Sequence, residues 1–183
     1  MKRLLILGAG GYGRTVAEAA LLNGEWERVD MLDDSFPAVT SSSRYTVVGK
    51  ITDLQRLATK YDAAVCAIGN GQVRKALTEA ILAAGLPLAT IIHPRAYVSV
   101  DANIDAGTTI MAGAVVGPYA NIGQGCILNA NATADHDSIM EDYAHLGVGV
   151  AIAGSAVLRE GAWLQAGRNA GYGVEVPAWD VWK

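Results

Sequence analysis

From Val98 to Val176 the chain places an apolar residue at every sixth position: Ile104, Ile110, Val116, Ile122, Leu128, Ala134, Met140, Leu146, Ile152, Leu158, Leu164 and Ala170 lie between, and Ile92 already fits the series. In a chain that is 51% hydrophobic, so long a run has chance odds of roughly one in two thousand over six phases. Four residues after each apolar position the side chain is small: Ala102, Thr108, Ala114, Ala120, Cys126, Ala132, Ser138, Ala144, Val150, Ala156 and Ala162. Six residues are too few for a pair of helices but suit one short strand and a turn. Three such units close a triangular coil of about eighteen residues, with aliphatic side chains inward and small ones at the corners. Coils stack at about the inter-strand spacing, ~4.8 Å, so that each pairs with the next. No coil buries its interior alone, so stability is shared between neighbours. Cys126 falls in the small column and needs no nucleophilic role. Arg168 and Asp180 break that column, which predicts that the regular prism ends near residue 167.

The first half follows another rule. "RLLILGA", "RVDMLDD", "DAAVCAIG" and "LATIIH" read as buried strands, and "GRTVAEAALLNG", "ITDLQRLATKY" and "NGQVRKALTEAILAAG" as helices. Continuous apolar strands alternating with helices predict a small Rossmann-like parallel sheet. The expected division is an α/β domain at residues 1–91, followed by a parallel β-helix of hexapeptide repeats at residues 92–183.

Composition limits the partners. A net charge of −4 offers no general attraction for nucleic acid or an anionic membrane surface. The run opening "MKRLLILG" is cut short by Gly8, too early for a signal peptide, and no apolar stretch could span a bilayer. Cys66 and Cys126 lack metal-ligand spacing and read as buried thiols in a reducing, cytoplasmic setting.

Two places carry chemistry. "GAGGYG" satisfies Gly-x-Gly-x-x-Gly through Gly8, Gly10 and Gly13, and Asp33 stands where a dinucleotide fold places its ribose acid. Taken alone this suggests NAD, but no dehydrogenase domain follows. Its general content is a turn whose amides can approach a phosphate at a helix N-terminus. The second place is "NATADHDSIMEDYAHLG", which collects two of the three histidines, His136 and His145, with the acids Asp135, Asp137, Glu141 and Asp142. A histidine with a carboxylate beside it suits proton removal near neutral pH. His145 lies half an eighteen-residue coil from His136, so within one chain the two point in different directions and could meet only across a subunit boundary. Residues 96–158 hold no Lys or Arg and six acids. Coenzyme phosphates would therefore need Arg159, Arg168, Lys183 or backbone amides of the last coils, with the pantetheine arm running from His136 towards the C-terminus.

With "GAGGYGR", "MLDDS", "AIGNGQVR", "IIHPRAYVS" and "DHDSIMEDYAHLG" in this order, the chain resembles the left-handed β-helix sugar acetyltransferases, the family of the sialic acid O-acetyltransferases and UDP-bacillosamine N-acetyltransferases. The left hand of the helix is implied by the resemblance. So is a homotrimer with active sites between neighbours, using acetyl-CoA as acyl donor and no metal. By position, His136 would be the general base and Asp137 the acid that raises its basicity, with Asp135 a competitor. Gly10, Gly11, Tyr12, Asp33, Asp34 and Gly69 would bind a nucleotide-sugar, with Asn70 and Arg74 as further candidates. His145, Gly154 and Ala166 would contact the coenzyme. The ending "GYGVEVPAWDVWK" departs from the Gly-x-Pro-Ala-type close of similar proteins and reads as shortened. A zinc enzyme of the same fold is disfavoured, because His93 lies about two and a half coils from His136. The expected activity is direct N-acetylation of a nucleotide-linked amino sugar, with backbone amides holding the oxyanion. Sugar O-acetylation and a non-catalytic nucleotide-binding module are the alternatives.

Overall fold

The structure is a computed structural model that describes residues 2–183. Its first part is a five-stranded sheet built from β1 (Arg3–Leu7), β2 (Arg28–Leu32), β3 (Ser41–Ser42), β4 (Tyr45–Gly49) and β5 (Ala63–Cys66), in the order β3-β4-β2-β1-β5. All pairings are parallel except the β3–β4 hairpin. Side chains alternate across β1, as the two-residue period of a strand requires. Leu4 and Ile6 pack with Val16, Ala17 and Ala20 of α1 (Gly11–Leu22), whereas Leu5 and Leu7 pack with Ile81 of α3 (Gly71–Ala83) and with α2 (Leu54–Leu57). Small residues bring α1 close to the sheet. A Cβ at Gly13 would sit 2.1 Å from the Gly8 carbonyl oxygen, so only glycine permits this approach.

The second part is the three-sided prism. One face stacks six two-residue strands, Ile91–Ile92, Thr109–Ile110, Ile127–Leu128, His145–Leu146, Trp163–Leu164 and Val181–Trp182. A second face carries Tyr97–Val98, Val115–Val116, Thr133–Ala134 and Ala151–Ile152. The third carries Asn103–Ile104, Asn121–Ile122, Ile139–Met140, Val157–Leu158 and Glu175–Val176. Partners are parallel and eighteen residues apart, as in Val115 with Thr133 and Ile127 with His145. From Ile110 to Val176 every residue of the six-residue apolar series is at most 4% exposed, and the small residues from Thr108 to Ala162 are fully buried. A further column emerges at the turns: Gly107, Gly113, Tyr119, Gly125, Asn131, Asp137, Tyr143, Gly149, Ser155, Gly161, Gly167, Gly173 and Trp179 all have left-handed φ, between +57° and +86°.

Two expectations are corrected, and one element went unread. "LATIIH" is not a strand of the first sheet: Leu88 makes only a single bridge to Ala64, and Ile91–Ile92 pairs with Thr109–Ile110 in the prism. The hairpin at Ser41–Gly49 went unread, because its edge strand "SS" has no apolar pattern. The prism does not end near residue 167. The segment after Arg168 is reduced to one bridge, Ile152 to Ala170, but Glu175–Val176 and Val181–Trp182 resume the stacking. Val174 fills the small position beside the core, and Trp182 packs against it.

The α/β part lies against the six-stranded face. The Tyr12 hydroxyl meets Thr109 Oγ1 at 2.6 Å, Lys75 Nζ pairs with Glu160 at 2.7 Å, and Met111 enters the core beneath β1. Among the described residues no helix is long and apolar enough to cross a membrane.

Candidate active site

His136 stands on a corner of the prism, in the turn after Thr133–Ala134. Its neighbour Asp137 occupies the left-handed turn position with φ +57°, where seven of the thirteen turns carry glycine. That conformation is costly for most residues and tolerable for Asp. Here it turns the carboxylate back on the imidazole, with Asp137 Oδ2 2.8 Å from His136 Nδ1. A carboxylate oxygen only accepts, so Nδ1 carries the proton and Nε2 is left with its lone pair. Asp135 Oδ2 is 4.0 Å from Nε2, and its Oδ1 instead accepts the His136 amide at 2.8 Å. The hydrogen bond to Asp137, followed by the charge of Asp135, holds the imidazole pKa above its ordinary value.

One coil below, Gly154 makes room for the ring. A Cβ there would lie 2.5 Å from His136 Cε1 and 2.6 Å from Nε2. One coil above, a Cβ at Gly117 would meet the His136 amide nitrogen at 2.6 Å. The imidazole thus lies over one glycine and its backbone against another, the first relation following from the eighteen-residue spacing of 136 and 154. Ala166 is exposed and lies twelve residues, two sides of a coil, beyond Gly154. Within one chain the two occupy different corners of the prism.

His145 is on the face that meets the α/β part and is 6% exposed. Its ring stacks on Trp163 of the next coil, centroids 4.9 Å apart and planes within 5°. Its Nδ1 is 3.3 Å from the Gly69 carbonyl oxygen, and its Nε2 is buried with no protein partner. Burial, then the nearby Arg74 charge, pushes its pKa down to about 3, so the imidazole is neutral. The structure does not bring His136 and His145 together within the chain.

The glycine-rich loop follows β1, Asp33 and Asp34 follow β2, and Gly69 and Asn70 follow β5, all at the carboxyl ends of parallel strands. Because β2 and β5 flank β1 on opposite sides, the crevice between the loops after β1 and β5 is a topological switch point, where open α/β sheets bind ligands. Gly10 is the N-cap of α1 and makes no side-chain cap, and a Cβ at Gly10 would have nothing within 4 Å. Gly10 thus faces open space and a Cβ at Gly11 would only touch the Arg14 guanidinium at 3.8 Å, whereas Gly8 and Gly13 are required by packing. Asp33 braces the loop: Oδ2 accepts the Ala9 amide at 2.8 Å, and Oδ1 accepts from the Ser35 amide and hydroxyl. Burial raises its pKa, but these three hydrogen bonds together outweigh it and leave the carboxyl below its usual range. Asp34 accepts the Ile51 amide at 3.2 Å, and Asn70 caps α3 through the Val73 amide at 3.1 Å.

Besides Tyr12, an expected nucleotide-sugar residue whose hydroxyl is taken by Thr109 Oγ1 of the prism, two expected ligand groups are otherwise engaged. Arg74 is 1% exposed and spends its guanidinium on the carbonyl oxygens of Gly125 (2.7 Å), Ile68 (2.8 Å), Gly69 (2.9 Å) and Tyr143, joining the β5 loop to the prism. It cannot reach a phosphate. Arg159 is held by Glu141 at 2.6 Å and Glu175 at 2.8 Å, so it is not a free cation for a coenzyme phosphate. Sequence reasoning missed both engagements, and it missed the stacking of Trp163. The partners of Arg74 are backbone carbonyls, which leave no residue signature. Among the described residues no three His, Cys, Asp or Glu are placed to hold a metal ion, and His93 caps a turn by accepting the Arg95 amide at 3.0 Å.

Comparison with known proteins accords with this geometry. Residues 3–81 match the PglD N-terminal domain family. UDP-N-acetylbacillosamine N-acetyltransferase of Bacillus subtilis (strain 168) is 36% identical over 114 residues, 61% of this chain and 52% of that protein, so the match spans about half of the relative's length. The acetyltransferase domain of PglB from Neisseria gonorrhoeae FA1090, in complex with acetyl coenzyme A, superposes with TM-score 0.82 at 31% identity, over 98% of this chain and 95% of that one. A histidine-to-alanine variant of GDP-perosamine N-acetyl transferase from Caulobacter crescentus, in complex with CoA and GDP-perosamine, superposes with TM-score 0.94 at 28% identity, over 99% of this chain and 85% of that one. The prism is accordingly a left-handed parallel β-helix. Because the likeness to the PglB acetyltransferase domain runs through 98% of this chain at 31% identity, the chain belongs to the left-handed β-helix, hexapeptide-repeat family of sugar acetyltransferases.

Proposed function

We propose that the protein transfers the acetyl group of acetyl-CoA to the amine of a nucleotide-linked amino sugar. The observation that carries this reading is the His136–Asp137 pair, with its free Nε2 on an exposed corner. As the neutral amine attacks the thioester carbonyl, Nε2 takes a proton from nitrogen and Asp137 stabilises the imidazolium. Collapse of the tetrahedral intermediate breaks the C–S bond. The leaving thiolate recovers the proton, giving an acetamide and CoA-SH. The 2.8 Å contact supports Asp137 over Asp135 as the assisting acid. No cysteine is placed for an acyl-enzyme: Cys66 and Cys126 are buried, and burial pushes their thiols up to about 11 and about 12. Transfer is therefore direct.

Gly10, Gly11 and the Gly69 loop are the proposed nucleotide-sugar site, with the open space at Gly10 as support. We divide the roles near residue 91, the α/β part holding the acceptor and the prism the donor. The proposed assembly is a homotrimer, which the exposed Tyr97, Val115 and Ile139 on the two uncovered faces, with Tyr119 and Val148 at turns on the prism corners, support. In such an assembly Gly154 of one chain and Ala166 of a neighbour could touch one coenzyme. The free, buried thiols accord with a cytoplasmic setting.

Thiol release from acetyl-CoA, measured with a panel of UDP-, dTDP- and GDP-linked amino sugars, tests the reading. One nucleotide class should support turnover and its deaminated, hydroxyl-bearing analogue should not. Release that ignores the amino sugar, or none with any acceptor, would overturn it. Gly154→Ala should lower kcat by about 10- to 100-fold, because the new methyl displaces the imidazole from its slot. The exposed ring can swing into solvent, so the thermal midpoint should barely move. Steady-state kinetics beside a melting curve checks both halves.

A further inference from the structure

We infer that Arg74 is a positioning residue for the transfer site: through the Gly69 carbonyl it sets the orientation and tautomer of His145, leaving Nε2 as a hydrogen-bond acceptor for an N–H group of a bound substrate. The inference rests on the transfer reading above.

The Gly69 carbonyl oxygen lies 2.9 Å from Arg74 Nη1 and 3.3 Å from His145 Nδ1, so it has one partner for each of its two lone pairs. A carbonyl cannot donate, so His145 must hold its proton on Nδ1. A second proton on Nε2 would put a cation in a buried site beside the guanidinium, which burial and Arg74 together oppose. Stacking on Trp163 fixes the plane of the ring. What remains is a lone pair on Nε2, buried and without a protein partner, next to the loop that borders the crevice. Leaving such a group unpaired is costly. An acceptor of this kind suits an N–H of the sugar amine or of the pantetheine arm, and it does not suit an acetyl carbonyl. Arg74 has no carboxylate among its hydrogen-bond partners, all four of them carbonyl oxygens, and two of these belong to this loop. The arrangement aims the Gly69 carbonyl as well as joining the two parts.

The full chain has three histidines, so a long-range 1H–15N spectrum of histidine-labelled protein at pH 7 can be assigned by single substitutions. His145 is expected to show a protonated Nδ1 and an unprotonated Nε2. Its Nε2 resonance should move on adding saturating CoA or the amino-sugar nucleotide selected by the thiol assay, and whichever moves it identifies the donor. Arg74→Lys should mix the two tautomers and lower kcat by about 10- to 100-fold. Acceptor KM should change by no more than about threefold, the pattern of a lost transition-state alignment. A wild-type His145 protonated on Nε2 or averaged between tautomers overturns the inference, even if Arg74→Lys fails to fold. So does an Nε2 resonance unmoved by either ligand, or a folded Arg74→Lys protein with wild-type tautomer and kcat. Absence of transferase activity would count against the transfer reading alone, because the tautomer is read without turnover.

Discussion

His136→Ala should lower kcat by about 100- to 10,000-fold, the range for loss of a general base, with the fold unchanged. The side chain is half exposed, its ring bonds only to Asp137, and the prism interior beneath it is filled by other residues. Nothing structural is lost with it. The same group should set the acid limb of the pH profile. Only neutral imidazole accepts a proton, so kcat/KM should rise with pH through a value above the ordinary histidine pKa of about 6.5. The direction for stability is opposite: a raised folded pKa favours the fold below the unfolded value, and that help is lost as pH climbs through the folded one. Asp137→Asn removes the chief cause of the shift and should move the limb to lower pH, the charge of Asp135 leaving a remnant. A His136→Ala protein with near-normal turnover at pH 8 would take His136 out of the mechanism.

The largest expected loss of stability is at Arg74. Arg74→Ala removes donors from four carbonyl oxygens and leaves a void between the α/β part and the prism. A buried acceptor left without its donor costs about 1–3 kcal/mol, so losing the donors of four carbonyls at once should cost at least about 3–5 kcal/mol. For a chain of this length that corresponds to a fall in thermal midpoint on the order of 10 °C. By contrast, Arg14→Ala removes a 3.2 Å bond to Ser42 from an exposed residue and should shift it by no more than about 2 °C. Equal midpoints for the two variants would show that the interface does not depend on the buried guanidinium.

Residues with one fixed partner eighteen positions away were the legible ones. The apolar and small columns sit where the sequence spacing puts them, Ile122 and Cys126 alike fully enclosed or nearly so. Gly154 beneath His136 follows from the same spacing. Leu88–Ile92 was misassigned because an apolar run suits either sheet, and only tertiary pairing decides between them. Arg168 was overvalued as a terminator: a coil can lose one strand to a single bridge while the coils around it stay stacked. Arg74, a further ligand candidate by resemblance, turned inward because four carbonyls from three segments converge on it, a coincidence that no local pattern records.

The left-handed turn column from Gly107 to Trp179 gives every prism residue an address, a side and a level. Adding or deleting a single amino acid in the prism strands between Ile91 and His136 would push the enclosed aliphatic groups outward and carry the base off its corner. Gains and losses of sequence are therefore tolerable only in whole steps. Six residues turn the downstream part to the next side, and eighteen restore the side while moving the base by one level, ~4.8 Å, along the axis. Relatives of different lengths should keep the distance from base to acceptor loop by placing such changes beyond Ala166, the last residue proposed to touch the coenzyme.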